Sequence, residues 1–272
     1  MNNNIDIMRE LAVFNNITYY DEPHKYYIDG EQMISTTTLL HKYQNEFKTD
    51  LIAPKSGKKW QEAYEGSITF SPAFVKEIWS WLNLHAVTEG SVLHDYIENK
   101  FNNKVFPYPK QKIIDIFGYD AISETYPTLK EYADNFHSDV SGKLIPIRAE
   151  LVMGDPELKL CGMADMLFWN EKAQEYQIWD WKTNTKLNKS SKYNKSLNGI
   201  LSHLSDCELT MYSLQLSTYR FIVEKNTNIK LGDSYIVWFN EENPDYEVIK
   251  CHDFREEIKE VIRDYNKNPL II

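Results

Sequence analysis

Leu160-Cys-Gly-Met-Ala-Asp165 and Ile178-Trp-Asp-Trp-Lys182 decide the reading of this chain. Each is an apolar, strand-forming run that carries charge where charge is costly. Side chains two apart on a strand share a face, so Asp180 and Lys182 stand about 7 Å apart along the backbone, beside Tyr176 and Ile178. Trp179 and Trp181 take the other face, and a strand apolar on both faces is an interior one. In the preceding run Asp165 shares a face with Cys161, Met163, Leu167 and Trp169. If the two runs pair, the aspartates converge with the lysine beside them.

Two readings of that convergence stay open. One is a buried salt bridge of Lys182 with either aspartate, and a hairpin end with solvated charges is its variant. The other is a divalent cation. Two carboxylates about 4 Å apart repel by roughly 4 kcal/mol at an effective dielectric of 20, which one lysine only partly offsets. Mg²⁺ or Mn²⁺ removes the conflict, takes oxygen ligands, and suits hydrolysis at phosphorus. Lys182 would then orient or help deprotonate water, or stabilise charge in the transition state.

Around these runs, residues 144–182 read as a three-stranded meander, with turns at 154–157 and 170–174. Upstream, Ile17–Tyr20, Lys25–Ile28 and a return through Met33 form a small hairpin, followed by a helix from about Thr38. Residues 54–70, with Pro54, Gly57 and Gly66, read as a mobile loop. Ser71-Pro72 opens a helix, a second covers about 88–101, and 120–139 is helical with an interruption near Pro127. Downstream come an amphipathic helix over about 206–224, strands at 234–239 and 246–251, and a closing helix over 254–265.

Four further groups are candidates. Glu150, in Arg148-Ala-Glu150 of the first meander strand, is a ligand or support of the site, or else a partner of Arg148. His94 lies on the inward stripe of its helix with Gly90 one turn earlier, and is a ligand or an ordinary core or surface histidine. Gln215 and Tyr219, four apart, share a helix face that can bind phosphate or a base edge, or simply pack. From Trp181 to Ser205 there is no acidic residue, while Lys182, Lys186, Lys189, Lys192 and Lys195 all fall there. With Tyr193 available to stack on a base, that is a phosphate-guiding loop or a solvated lysine-rich one.

Composition bounds the rest. The chain has 272 residues, 42% hydrophobic and 14% aromatic, with ten glycines and ten prolines, which describes a folded protein with a substantial core. A formal charge of −10 argues against a sequence-independent DNA-coating protein but not against an acidic metal site. No run approaches a membrane span and the first ten residues lack signal-peptide organisation, so a soluble, cytoplasmic protein with no membrane partner is expected. Cys161, Cys207 and Cys251 are far apart and odd in number, which supports neither a disulfide framework nor a cysteine metal site.

Taken in order, Gly162-x-x-Asp165, Asp180-x-Lys182 and Gln215-x-x-x-Tyr219 make the sequence similar to the PD-(D/E)XK nuclease superfamily, in its RecB-like exonuclease branch. The upstream His94 and Glu150 match that branch too, so the likeness spans about residues 90–225. His24-Lys-Tyr-Tyr-Ile-Asp-Gly30 and Ser35-Thr-Thr-Thr-Leu39 resemble the start of phage-encoded and mitochondrial single-strand exonucleases of the superfamily. The resemblance implies an α/β, restriction-endonuclease-like core with a mixed central sheet flanked by helices and an elaborated amino-terminal helical region. It implies one nuclease domain, with residues 1–140 as hairpin and helical wall and 141–272 as catalytic sheet. His94, Asp165, Asp180 and the Trp181 carbonyl would hold Mg²⁺ or Mn²⁺. Lys182 would act with Asp180, Asp165 and Glu150 in catalysis. Gln215, Tyr219 and the lysine loop would meet DNA. The four-cysteine set of the iron-sulfur members is missing, so no cluster is expected, and helicase motifs are missing as well. Unwinding or processivity would come from a recombinase, helicase or single-strand-binding partner. The expected activity is metal-dependent DNA exonuclease action on single-stranded or frayed ends, in recombination, repair or replication. The alternatives are a structure- or sequence-specific endonuclease of the same fold and a non-catalytic DNA-binding accessory protein.

Overall fold

Strand β5 (Leu160–Asn170) organises the molecule. Along one edge it pairs antiparallel with β4 (Leu144–Asp155), from Leu144 opposite Asn170 to Asp155 opposite Leu160. Its other edge is shared. β3 (Glu31–Ser35) pairs in parallel with Leu160 and Cys161, and β6 (Glu175–Lys182) pairs antiparallel from Met166 to Asn170. Between these two neighbours, Gly162 to Asp165 have no strand partner on that edge among the described residues. The sheet forks there, and the candidate site occupies the fork.

The computed structural model describes residues 2–268 and Leu270, with side chains from Ile7 on. It is α/β, with a mixed sheet of eight strands among the described residues, flanked by helices. β1 (Ile17–Tyr20) and β2 (Lys25–Ile28) extend the sheet from β3. β7 (Leu231–Trp238) and β8 (Glu247–Lys250) extend it from β6, β7 parallel to β6 and β8 antiparallel to β7. The meander and the amino-terminal hairpin therefore stand as the alternation predicts. Asn170 closes the β5–β6 turn by accepting the N–H groups of Lys172 and Ala173 on its side-chain oxygen, which is why an Asn is suited there.

Helices cover both faces. In chain order they are α1 (Asn2–Leu11), α2 (Thr36–His41), α3 (Thr49–Ala63), α4 (Pro72–Phe101), α5 (Lys110–Phe117), α6 (Tyr126–Val140), α7 (Glu208–Asn226) and α8 (Arg255–Lys267). On one face Leu167, Ile178 and Ile236 of the sheet pack with Leu214, Ile222, Ile258 and Val261 of α7 and α8. On the other, Phe168, Trp179, Trp181 and Phe239 pack with Leu93, Ile97 and Phe101 of α4 and Phe136 of α6. No helix among the described residues is long and apolar enough to cross a membrane.

Four local expectations are corrected. Residues 54–63 are helical, not a loop, and Pro54 lies inside α3. Ala53 and Gly57 are buried there, and a Cβ on Gly57 would lie 2.3 Å from the Phe70 carbonyl oxygen. Gly57 thus serves close packing, which overrides its low helix propensity. α4 is one helix of 30 residues, about 45 Å long at 1.5 Å per residue, where the sequence pattern predicts two. Ser71 caps it, its hydroxyl accepting the Phe74 N–H. Pro127 starts α6 instead of interrupting a helix, as its missing N–H allows in a first turn. α7 is buried nearly all round instead of amphipathic, with Thr210, Ser213, Ser217 and Thr218 inside. Ser213 and Ser217 accept the N–H groups of His252 and Phe254, Thr218 donates to the Leu214 carbonyl, and the buried Arg220 donates from Nη2 to the Leu231 carbonyl while its Nε has no hydrogen-bond partner among the described residues.

Candidate functional site

At the fork the period-two geometry of β5 and β6 brings Asp165 and Asp180 to one face, as their neighbours Leu167 and Ile178 are paired. Asp165 is buried, and its Oδ2 accepts the Trp181 N–H at 2.6 Å. Its Oδ1 lies 3.5 Å from Nδ1 of His94, which reaches the fork from α4. α4 approaches closely at Gly90, where a Cβ would lie 2.9 Å from the Thr183 hydroxyl oxygen. Burial pushes the Asp165 carboxyl toward its neutral form, but His94, Lys182 and the Trp181 N–H outweigh it and hold the group below the usual range.

Asp180 is 2% exposed and ion-paired with Lys182. Its Oδ2 meets Lys182 Nζ without hydrogen-bond geometry, and no other donor reaches that atom among the described residues. Burial first and the Asp165 charge second push Asp180 up to about 6, against the pull of Lys182. Burial opposes the Lys182 charge, yet Asp180 and Asp165 prevail and raise the ammonium above its ordinary range. The salt bridge expected as one reading is therefore present, and it does not exclude the other: the second carboxylate, Asp165, stays unmatched by it.

Glu150 stands opposite, on β4, with φ of 45°, a left-handed backbone that is uncommon for a non-glycine residue inside a strand. Burial and then the Asp165 charge push it up to about 8. Arg148 makes no ion pair with it among the described residues. His94, which burial would discharge, is raised to about 9 chiefly by Asp165. One ligand atom from each of His94, Glu150 and Asp165 lies within 4.8 Å of the others. Opposite ligands of one Mg²⁺ at about 2.1 Å span about 4.2 Å, so a small contraction would serve a common cation. An imidazole with two crowded carboxylates, and beside them the Asp180 Oδ2 without a hydrogen bond, fits Mg²⁺ or Mn²⁺. Glu150 joins His94 and Asp165 in this group, whereas Asp180 is turned to Lys182; Trp181 meets Asp165 through its N–H.

Gln215 and Tyr219 do share a face of α7, the Gln215 amide donating to the Tyr219 hydroxyl at 2.7 Å. Tyr219 is 3% exposed, its ring lying over Gly162, so its surface is committed to the fork. The segment after β6 leaves Lys186, Lys192, Lys195 and Tyr193 exposed, Tyr193 at 81%. Lys189 differs, pairing with Glu247 at 2.7 Å. The segment is anchored, not free: Leu187, Leu197 and Leu201 are buried, and Asn45 donates to the Ser196 carbonyl and to Asp206. Tyr212 is not among the residues that the sequence pattern singles out. It stands at the site, its ring 4.8 Å from Lys182 Nζ. The seven-residue spacing from Tyr212 to Tyr219, two turns on one face, was the available signal.

No family model matches the chain, and no curated protein matches it. Among solved structures the chain is similar to SSO0001, at 13% identity over 65% of this chain and 84% of that one, with a TM-score of 0.28. A likeness that faint carries no argument about fold or function.

Proposed function

We propose that this chain hydrolyses phosphodiester bonds in DNA with Mg²⁺ or Mn²⁺, as a nuclease with a restriction-endonuclease-like core. The observation that carries this reading is the pair of buried Asp180 with partly buried Lys182, set beside the His94, Glu150 and Asp165 cluster at one break in the sheet. A salt bridge built only for stability needs one carboxylate, and additional buried carboxylates beside it are destabilising unless used. His94, Glu150 and Asp165 would hold the cation, with Asp180 adjoining. When bound, such an ion supplies polarisation of a phosphoryl oxygen and acidification of water.

The chain's own groups divide the remaining work. Lys182, favoured as an ammonium by Asp180 and Asp165, orients the attacking water and offsets charge growing on the phosphoryl oxygens. The Trp181 N–H fixes the Asp165 rotamer, and the Tyr219 ring closes the fork over Gly162. Lys186, Lys192, Lys195 and Tyr193 guide a strand toward the fork by charge and stacking. We assign the action to exonucleolytic cleavage of single-stranded or frayed ends by one nuclease domain, working in recombination, repair or replication beside a partner that supplies unwinding.

The test is digestion of 5′- and 3′-labelled linear strands and of closed circular DNA, with Mn²⁺ and with chelator. Linear DNA shortens from an end, the circle survives, and chelator stops the reaction. Asp180→Asn and Lys182→Ala lose cleavage while keeping the wild-type fold. Wild-type rates in either variant refute the reading; nicking of the circle replaces it with an endonuclease, and metal-dependent binding without cleavage replaces it with an accessory protein.

A further inference from the structure

We infer that Tyr212 is a positioning residue whose ring face holds the Lys182 ammonium in its working place, an assignment that rests on the nuclease reading above. Lys182 is the last residue of β6, and its backbone is fixed: it pairs with Trp238 of β7, and its carbonyl accepts the Phe239 N–H at 2.8 Å. Its side chain is not fixed by that. Four methylenes separate the charge from the strand, and the contact with Asp180 is the one ion pair that Nζ makes among the described residues. A carboxylate is a poor sole anchor here. Whenever a cation or a phosphate engages the Asp180 neighbourhood, the attraction that holds Nζ is shared or cancelled.

The Tyr212 ring solves this differently. Nζ lies 4.8 Å from its centroid, within the range of a cation–ring contact, which gains strength where water is excluded, and the Lys182 side chain is 18% exposed. A ring face attracts the ammonium without competing as a lone-pair acceptor, so an N–H donor not turned to Asp180 or the ring is available to water or a phosphoryl oxygen. The ring is itself held at both ends. Its Cα belongs to α7, and its hydroxyl donates to Asn184 Oδ1 at 3.3 Å, while Trp238 Nε1 donates to the Asn184 carbonyl at 2.7 Å. α7 therefore supplies two aromatic supports two turns apart: Tyr219 over Gly162 of β5 and Tyr212 over Lys182 of β6. The ring carries the effect and the hydroxyl only steadies the ring.

The experiment compares wild type, Tyr212→Phe and Tyr212→Leu as whole proteins, measuring kcat and KM with Mn²⁺ on end-labelled single strands, thermal unfolding, and the ¹H shifts of the Lys182 ε-methylene. In Y212L we expect kcat to fall about tenfold, the equivalent of about 1.4 kcal/mol and inside the range of a desolvated cation–ring contact, with KM held. Y212F restores kcat and keeps the ring-current shift that Y212L loses. A purely structural role would change the unfolding temperature of Y212L without this rescue or this shift. Three results overturn the inference: Y212L cleaving at the wild-type rate, Y212F as slow as Y212L, or a Lys182 shift in wild type that Y212L does not alter. Wild type that cuts no DNA yet shows the ring-shifted methylene sinks the nuclease reading, and with it the catalytic meaning of the contact, while leaving the placement of Lys182 intact.

Discussion

Replacing Gly162 by alanine tests the fork directly. A Cβ there would lie 2.3 Å from Tyr219 Cε1 and 3.0 Å from both Tyr219 Cδ1 and the Thr36 hydroxyl oxygen. Carbon atoms rest at about 3.5–4.0 Å, so the ring must retreat by more than about an ångström. It has little room, being 3% exposed and held by the Gln215 amide. Overpacking of this kind costs about 1–3 kcal/mol, and the entropy gained by removing a strand glycine returns about 0.5–1 of it. At mid-range the net loss is about 1.25 kcal/mol, which lowers the unfolding midpoint by roughly 2.5–5 °C at roughly 2–4 °C per kcal/mol for a large domain. Thermal unfolding by circular dichroism reads it, and the double variant G162A/Y219L supplies the control. Leucine removes the clashing ring atoms, so the two changes together cost less than their sum by at least about 0.5 kcal/mol. Wild-type stability of G162A, or strict additivity in the double variant, would show that the ring does not lie over Gly162 as described.

Other outcomes follow from the same contacts. At about a hundredfold excess over its dissociation constant, Mn²⁺ raises wild-type stability by about 2.7 kcal/mol, and the rise disappears in Asp165→Asn and His94→Ala; an equal rise in those variants places the ion elsewhere. Asp264 is held down to about 2 by the Lys42 ammonium and the Tyr43 hydroxyl, tying α8 to the end of α2. Because this folded-state value lies below the unfolded one near 3.9, the contact stabilises fully above about pH 4 and is lost as pH falls toward 2. Urea unfolding of D264N across that window should therefore show a shallower acid dependence than wild type. In filter binding to single-stranded DNA, Lys192→Ala and Lys195→Ala each reduce the salt slope by about 0.7, the value for one released phosphate contact on a single strand. Lys189→Ala reduces it less, since Lys189 is already paired with Glu247, and equal slopes for the three would contradict that distinction.

Period-two alternation made the meander and the hairpin legible, because strand faces are a local property of neighbouring residues. It also placed Asp165, Asp180 and Lys182 together, since the turn after Asn170 leaves little freedom in the pairing of two such runs. Helix limits were less legible. Gly57 and Pro54 are punctuation by propensity, and it is the packing of Gly57 against Phe70 and Val75, with Ala53 buried, that favours a helical segment there. The segment of α7 reads as amphipathic, although its Ser213 and Ser217 are interior and bound to the backbone before α8.

By itself, the sequence determined an α/β chain with charged residues on two adjoining interior strands, and the residue types a divalent cation would need. Tertiary structure alone decided that β5 exchanges one neighbour for another between Cys161 and Met166, since pairing with β3 joins segments more than a hundred residues apart. That gap is what admits the Tyr219 ring over Gly162 and the His94 imidazole beside Asp165. It also decided that Glu150 adopts a left-handed backbone and joins His94 and Asp165, that Asp180 turns to Lys182, and that Tyr212 lies against the lysine. Spacing along one strand or helix specifies a face. Which side chains from different elements meet there depends on how whole layers stack, and that is a property of the folded chain.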